Sequence, residues 1–333
     1  MKNIKKNQNV LIIGAGKIGS IRAKTANKLS PDSKIYIYDL NFNLAQKLAS
    51  EVNGTAIKDL ESALKDKSIN ITVIAVINKF SKKYCIQSIK NNKHVLCEKP
   101  MGISYQEALA IAQFANKYNS IFKCGFNHRY HPGIFNAHKL CLKNKIGEIL
   151  YIRAVYGHGG REEYDKEWRA KKQLSGGGEL LDQGSHLIDL CLWFFGFETV
   201  KKTYCIPKTM FWKMDVDDNA FALIETKSGK VAQIHASWTQ WKNLFRFEIY
   251  GKKGTIEING LGKSYGTETL KLLVRHKLGK APKIYEQLYN GYDNSWELEW
   301  KDFINSIKLN KLPMSNQNES LMVMKTISKL YNQ

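Results

Sequence analysis

Residues 10–19 read Val10-Leu11-Ile12-Ile13-Gly14-Ala15-Gly16-Lys17-Ile18-Gly19. A short apolar strand runs into three glycines spaced G-x-G-x-x-G, and a helix is predicted over 20–29. Gly14 permits the tight turn, Gly16 removes a Cβ that would block a pyrophosphate, and Gly19 allows close helix packing. A phosphate would rest on the helix N-terminus, where N–H groups point outward. Glycine-rich turns are common, so the motif gains its weight from Asp39, twenty positions after Gly19 and directly behind a second apolar strand. A carboxylate there accepts from the adenosine ribose hydroxyls, and it repels a 2′-phosphate, so NAD is expected rather than NADP. The plain alternative for Asp39 is a surface aspartate opening a loop.

Working outward, the 333-residue chain is long enough for two domains, and its 43% apolar and 11% aromatic content is that of a globular protein. No leading segment resembles a signal peptide and no uncharged apolar run is long enough to span a bilayer, so a cytoplasmic protein without a membrane partner is expected. The net charge of +21 raises a nucleic-acid partner. Its lysines are dispersed, however, at Lys2/Lys5/Lys6, Lys82/Lys83, Lys171/Lys172, Lys201/Lys202 and from Arg275 to Lys283. The excess reads as a solvated surface that still favours a phosphorylated or nucleotide-linked substrate. The six cysteines, Cys85, Cys97, Cys124, Cys141, Cys191 and Cys205, form no C-x-x-C pair, so neither a zinc site nor a disulfide framework follows.

The first third alternates strand and helix signals, as a parallel sheet requires. Strands are predicted at 10–13, 34–38, 55–57, 71–77, 94–97 and 121–125, with helices at 44–51, 60–65, 82–91 and 105–118 between them. Beyond residue 125 the rhythm changes. A strand at 148–156 precedes a charged, irregular stretch at 161–174 and a helix at 179–194. Closely spaced strands follow at 200–206, 218–226, 230–240, 245–250 and 254–258, then helices at 295–307 and 320–330. The expected fold is α/β: a Rossmann domain over 1–125, then an α+β domain over 126–333 built on an open, mostly antiparallel sheet.

Two segments carry chemistry. Glu98-Lys99-Pro100 follows an apolar strand, which puts Lys99 at the carboxyl edge of the sheet, where ligands bind. Its ammonium can stabilise a developing alkoxide, although a lone lysine there is as readily a solvated one. In Gly176-Gly177-Gly178-Glu179-Leu180-Leu181-Asp182-Gln183-Gly184-Ser185-His186-Leu187-Ile188-Asp189, helical spacing sets Asp182, His186 and Asp189 along one side. Histidine suits proton removal from an alcohol near neutral pH, with a carboxylate to orient it. A helix cap with a satisfied structural histidine is the bland alternative. The three side chains lack the H-E-x-x-H spacing of a zinc helix, and no metal is expected. Arg161, Tyr164, Trp168 and Arg169 are candidates for a distal substrate wall, with Trp168 equally able to anchor a loop.

Together with Gly125-Phe126-Asn127-His128-Arg129 and Tyr250-Gly251-x-x-Gly254, these motifs make the chain resemble the glucose–fructose oxidoreductase, inositol dehydrogenase and rhizopine-catabolism family of NAD(P)-dependent oxidoreductases. The resemblance implies catalysis by Lys99, Asp182 and His186. His186 would be the general base, Lys99 the group that orients and polarises the hydroxyl, and Asp182 a substrate or proton-network residue. It implies cofactor contacts from Gly14, Gly16, Lys17, Ile18, Asp39, Ile77, Asn78, Glu98, Lys99, Asn127 and Arg129. Substrate contacts are expected from Lys99, Arg161, Tyr164, Trp168, Asp182 and His186. The family's Thr/Pro-Asn-x-x-His pattern after the fourth strand is here Ile77-Asn78-Lys79-Phe80-Ser81, so Ile77 and Ser81 are expected to alter the pocket by the nicotinamide.

The expected activity is hydride transfer between NAD and a secondary alcohol of a sugar, nucleotide sugar or cyclic polyol, in a homodimer or homotetramer. Two alternatives are an NAD-retaining epimerase or glycosidase and a non-catalytic, sugar-responsive regulatory protein.

Overall fold

The computed structural model describes residues 8–118 and 120–332. The lysine group Lys2/Lys5/Lys6 lies outside the described residues. By packing, the chain forms two units, one of residues 1–126 with 296–321 and one of 127–295 with 322–333.

The first unit is built on β1 (Asn9–Ile13), α1 (Lys17–Leu29), β2 (Ile35–Tyr38), α2 (Phe42–Glu51), β3 (Thr55–Ala56), α3 (Leu60–Lys65), β4 (Ile69–Ile74), α4 (Asn78–Lys90), β5 (His94–Cys97), α5 (Tyr105–Lys117) and β6 (Phe122–Cys124). Its sheet is wholly parallel in the order β3-β2-β1-β4-β5-β6, with Val10 in register with Ile35 on one side and Ile71 on the other. The order reverses between β1 and β4, and that switch point is where a doubly wound sheet opens its ligand crevice. Continuous Val/Ile runs suit strands buried on both faces, and Val10, Ile12, Ile37, Ile71, Val73 and Leu96 form one core. Trp300 and Phe303 complete that core from far along the chain.

Several expected boundaries move here. Helix α1 starts at Lys17 rather than 20, with Gly16 as its N-cap and no side-chain capping bond. Strand β4 ends at Ile74, and Ile77 is instead the N-cap of α4, which begins at Asn78.

The second unit opens with a single 3-10 turn, Asn127–Tyr130, and α6 (Pro132–Leu142), then β7 (Ile149–Gly157). Short turns follow up to α7 (Lys172–Ser175), α8 (Glu179–Asp182) and α9 (Gly184–Phe194). Strands β8 (Val200–Lys208), β9 (Asn219–Thr226), β10 (Val231–Ser237), β11 (Leu244–Gly251), β12 (Gly254–Asn259), β13 (Glu268–Val274) and β14 (Lys283–Tyr289) complete its sheet. The order is β14-β13-β12-β11-β7-β10-β9-β8, antiparallel throughout except where β7 runs parallel to β10. Helix α9 packs on β7 and β10, and α6 on β12 and β13. The other face carries exposed Tyr204, Ile206, Phe221 and Leu223. Helix α10 (Ser295–Leu309) follows β14, and α11 (Gln317–Tyr331) ends the described chain.

The fold class is thus as expected, with a Rossmann sheet and an α+β unit on a mostly antiparallel one. The single helix expected at 179–194 is two pieces, broken at Gln183. No helix among the described residues is long and apolar enough to cross a membrane.

Candidate active site

In the first unit the carboxyl edge of the sheet gathers the predicted dinucleotide residues. Gly14 has φ +104°, a conformation that L side chains rarely adopt, and a Cβ there would stand 2.3 Å from the Ala75 carbonyl oxygen. A Cβ on Gly19 would lie 1.9 Å from the Gly14 carbonyl oxygen, so this glycine lets α1 close against the turn itself. Gly16 differs, since a Cβ there would meet nothing within 4 Å. Its Cα faces open space just before the N-terminus of α1, which no side chain caps. The first-turn N–H groups of Lys17 and Ile18 are therefore positioned for a pyrophosphate.

Asp39 sits beside this turn. Its Oδ2 accepts from the Ala15 N–H at 2.7 Å and its Oδ1 from the Asn41 N–H at 2.8 Å. Both bonds fix the carboxylate and leave each oxygen a further lone pair for a ribose hydroxyl. The residues present fit a dinucleotide.

Glu98 and Lys99 follow β5 at the same edge, and the Lys99–Pro100 peptide is cis. The Glu98 carboxylate is held by Arg22, whose Nε donates to Oε1 at 2.6 Å, while Arg22 Nη1 donates to Glu299 at 2.5 Å. Burial works against the Arg22 charge, yet Glu299 and Glu98 outweigh it and raise the guanidinium further. Glu98 thus braces the strand end that presents Lys99. Ser81, expected near the nicotinamide, is instead 3% exposed and turned toward the buried Cys97 thiol, because α4 starts at Asn78 and buries that position one turn later.

In the second unit, the segment expected to carry a general base is held from below by its own glycines. Asp217 accepts from the Gly178 N–H at 3.1 Å and the Leu180 N–H at 2.9 Å, and the Tyr331 hydroxyl donates to it at 2.7 Å. A Cβ on Gly178 would sit 2.0 Å from the Asp217 carbonyl oxygen, and one on Gly177 2.7 Å from the Tyr331 hydroxyl. The three-glycine run is therefore a socket for Asp217 and Tyr331. Burial raises the Asp217 carboxyl, opposed by these donors.

Asp182 ends α8, and its side chain keeps 26% of its exposure, with Arg169 Nε 3.6 Å from Oδ2. Arg169 also lies over the Trp168 ring, 4.5 Å from its centroid. Four residues on, His186 occupies the first turn of α9, 5% exposed. Its ring stacks on His128, with centroids 3.7 Å apart and planes 14° from parallel. Tyr156 meets both rings edge-on and packs against Tyr265, which accepts from Gln183 Nε2 at 2.9 Å. Burial pushes the Tyr265 phenol up to about 12 and raises Tyr156 as well, so both hydroxyls stay neutral.

Asp189, Arg129 and Tyr164 land elsewhere than expected. Asp189 does not join Asp182 and His186, because Arg129 binds it bidentately, Nε at 2.8 Å and Nη2 at 2.5 Å. Both side chains are buried, with the Arg129 guanidinium also over the Trp193 and Phe197 rings. The cofactor role expected of Arg129 gives way to this internal ion pair. Tyr164, expected in a substrate wall, is 2% exposed in a small core with Val216 and Trp238. Arg161 is exposed and paired with Glu167 at 2.6 Å.

Asn127 is also internal, its Nδ2 donating to Ser295 Oγ at 3.0 Å. His128, Asp217 and Tyr331 were not singled out from the sequence; only His128 had a signal, its place inside the Gly125–Arg129 motif. Among the described residues no group of three or more His, Cys, Asp or Glu side chains is arranged to hold a metal ion.

Residues 8–126 match the NAD-binding Rossmann fold of an oxidoreductase family, and residues 134–257 match the GFO/IDH/MocA C-terminal domain. The chain belongs to the GFO/IDH/MocA oxidoreductase family, and NAD is its cofactor. Levoglucosan dehydrogenase of Pseudarthrobacter phenanthrenivorans is 26% identical over 288 residues, covering 76% of this chain and 74% of its own length. Glucose-6-phosphate 3-dehydrogenase of Bacillus subtilis is 30% identical over 188 residues, covering 55% of this chain and 53% of its own. In fold, the chain superposes on levoglucosan dehydrogenase in complex with NADH and levoglucosan with a TM-score of 0.89, at 21% identity, over 98% of this chain and 96% of that one.

Proposed function

We propose that this protein is an NAD-dependent dehydrogenase that oxidises a secondary ring hydroxyl of a sugar, nucleotide sugar or cyclic polyol. The observation that carries the reading is the pairing of the partly exposed Asp182 with His186 four residues on in the next helix, in a chain whose other unit is a NAD-binding Rossmann fold with Lys99 on its carboxyl edge. The names of the similar proteins, two dehydrogenases of carbohydrate substrates, support the substrate class.

NAD, when bound, supplies the acceptor for the hydride leaving the carbinol carbon. His186 takes the hydroxyl proton, and Lys99 donates to the oxygen as negative charge grows on it. Asp182, steadied by Arg169, accepts from a neighbouring hydroxyl and so orients the ring. Arg161 and Trp168 remain the proposed outer contacts, and Arg161 would exchange Glu167 for an anionic substituent.

The test is a panel of inositols, free and anhydro sugars, sugar phosphates and UDP-sugars, followed for both NADH and transformed product. Net NADH with a keto product supports the dehydrogenase. Unchanged total cofactor with a rearranged or cleaved sugar would replace it with the NAD-retaining epimerase or glycosidase, and binding without turnover would replace it with the regulatory protein.

A further inference from the structure

The sheet of the second unit has two unlike ends. At one, where β7 and β10 finish, Tyr156 meets the His186 ring and Asp217 holds the segment that carries Asp182. At the other, backbone bonds draw three loops, 142–148, 251–254 and 275–283, into one surface. The Lys253 N–H donates to the Ile146 carbonyl at 2.7 Å, the Lys252 N–H to that of Glu148 at 2.9 Å, and the Arg275 N–H to that of Lys253 at 2.9 Å. We propose that this second end docks on the surface of a bilayer containing anionic phospholipids, with its lysines on the headgroups and two leucines at the acyl boundary. This contact is independent of the reaction. It departs from the expected absence of a membrane partner, which rested on the lack of a run long enough to span a bilayer.

The charge comes from positions far apart in sequence. Lys143 and Lys145 follow α6, and Lys252 and Lys253 turn β11 into β12. The β13–β14 hairpin adds Arg275, Lys277, Lys280 and Lys283. All of these side chains are exposed. Glu148 is the one carboxylate that the three loops carry, and Lys252 already matches it at 2.5 Å. The adjoining turns keep the sign, since Lys201, Lys202, Lys227 and Lys230 stand there with Glu198 and Glu225. A surface this one-sided attracts an anionic layer, and less strongly as salt screens it.

What selects a bilayer over a nucleic acid is the company the lysines keep. Gly279, at φ +74°, and a bond from the Lys280 N–H to the Lys277 carbonyl close a tight turn at the hairpin tip. Leu278 in that turn is 84% exposed, and Leu142, the last residue of α6, is 74% exposed. A phosphodiester chain offers such side chains no apolar matter. A headgroup layer lets leucine reach the acyl boundary while the lysine stems extend to the phosphates. The three loops hold no Phe, Tyr or Trp on which bases could stack, and a single Arg. Strand β7 is nine residues long, so about 25 Å separates the two ends, and docking leaves the His186 end clear.

The experiment is co-sedimentation of the full chain with vesicles of phosphatidylcholine alone or with about one third phosphatidylglycerol, at about 0.1 M and about 1 M salt, where the Debye length falls from about 10 to about 3 Å. The wild type is expected to sediment with the anionic vesicles at low salt, to be released at high salt and to leave phosphatidylcholine unbound. Lys253→Gln, Lys277→Gln and Lys280→Gln together should weaken binding at least about tenfold. Leu142→Ser with Leu278→Ser, which keep every charge in place, should weaken it at least about threefold. NADH binding equal to that of the wild type reports that each variant is folded. Absence of binding to the anionic vesicles overturns the proposal, as does binding that the lysine variant leaves unchanged. Vesicle binding unchanged by the leucine pair overturns it as well, and tighter binding to a DNA or RNA oligonucleotide then assigns this end to a nucleic acid.

Discussion

At the scale of single residues, the structure separates side chains that present chemistry from side chains that brace it. Asp39 belongs to the first kind, with each oxygen already tied to a backbone N–H and aimed beside the glycine turn. Asp39→Ala is expected to weaken NAD binding by tenfold or more, about 1.4 kcal/mol, and to raise the NADP to NAD preference in fluorescence titrations. Tighter binding of NADP than NAD by the wild type would refute the assignment. Lys99→Met and His186→Ala are each expected to lower turnover on an identified alcohol by at least about 100-fold, His186→Ala while leaving NAD affinity unchanged. Arg129 belongs to the bracing kind. Arg129→Met takes the guanidinium away from the buried Asp189 carboxylate, and denaturant melts should show a loss of about 3–5 kcal/mol.

At the scale of elements, the glycine socket makes a prediction of its own. Asp217→Ala strands the Leu180 N–H, leaves the Gly178 N–H only its 3.2 Å bond to the Tyr331 hydroxyl and deprives that hydroxyl of its acceptor, and a loss of at least about 2 kcal/mol is expected in thermal or denaturant unfolding. Tyr331→Phe removes one of those bonds and should cost about 1 kcal/mol, with a fall in kcat larger than any change in NAD binding.

This socket also shows where sequence reading stops. The glycine motif and Asp39 were legible because their roles depend on neighbours a few positions away and on one strand length. Strand β5 and helix α3 fell where their apolar spacing put them. Helix α6 was missed although Pro132 opens it, and β13 was missed although its buried residues alternate, while β14 offers no such alternation. Six of the seven residues of β14 are exposed, so no buried face imposes an alternating pattern. The break at Gln183 was also invisible, since Gln183 keeps right-handed helical angles and the apolar spacing of Leu180, Leu181, Leu187 and Ile188 runs across it. Arg129 and Tyr164 were misplaced for another reason: their partners, Asp189 and Trp238, are remote in sequence.

At the scale of the whole molecule, the uncovered face of the second sheet is the surface that calls for a companion. Tyr204, Ile206, Phe221 and Leu223 are 57, 40, 40 and 44% exposed on adjoining strands β8 and β9. We propose that this face joins copies of the chain into the expected homodimer or homotetramer. Phe221→Glu with Leu223→Lys should lower the mass measured by light scattering to that of one chain; an unchanged mass would place the contact elsewhere.

The return of residues 296–321 to the first unit has a consequence for synthesis. The dinucleotide half lacks Trp300, Phe303 and the Glu299 partner of Arg22 until the ribosome has passed the whole second sheet. The segment bearing His186 likewise waits for Tyr331, 153 positions after Gly178. Neither half can mature ahead of the other during translation, so a nascent chain halted at residue 126 should be a protease-sensitive substrate for chaperones, not an early NAD-binding domain.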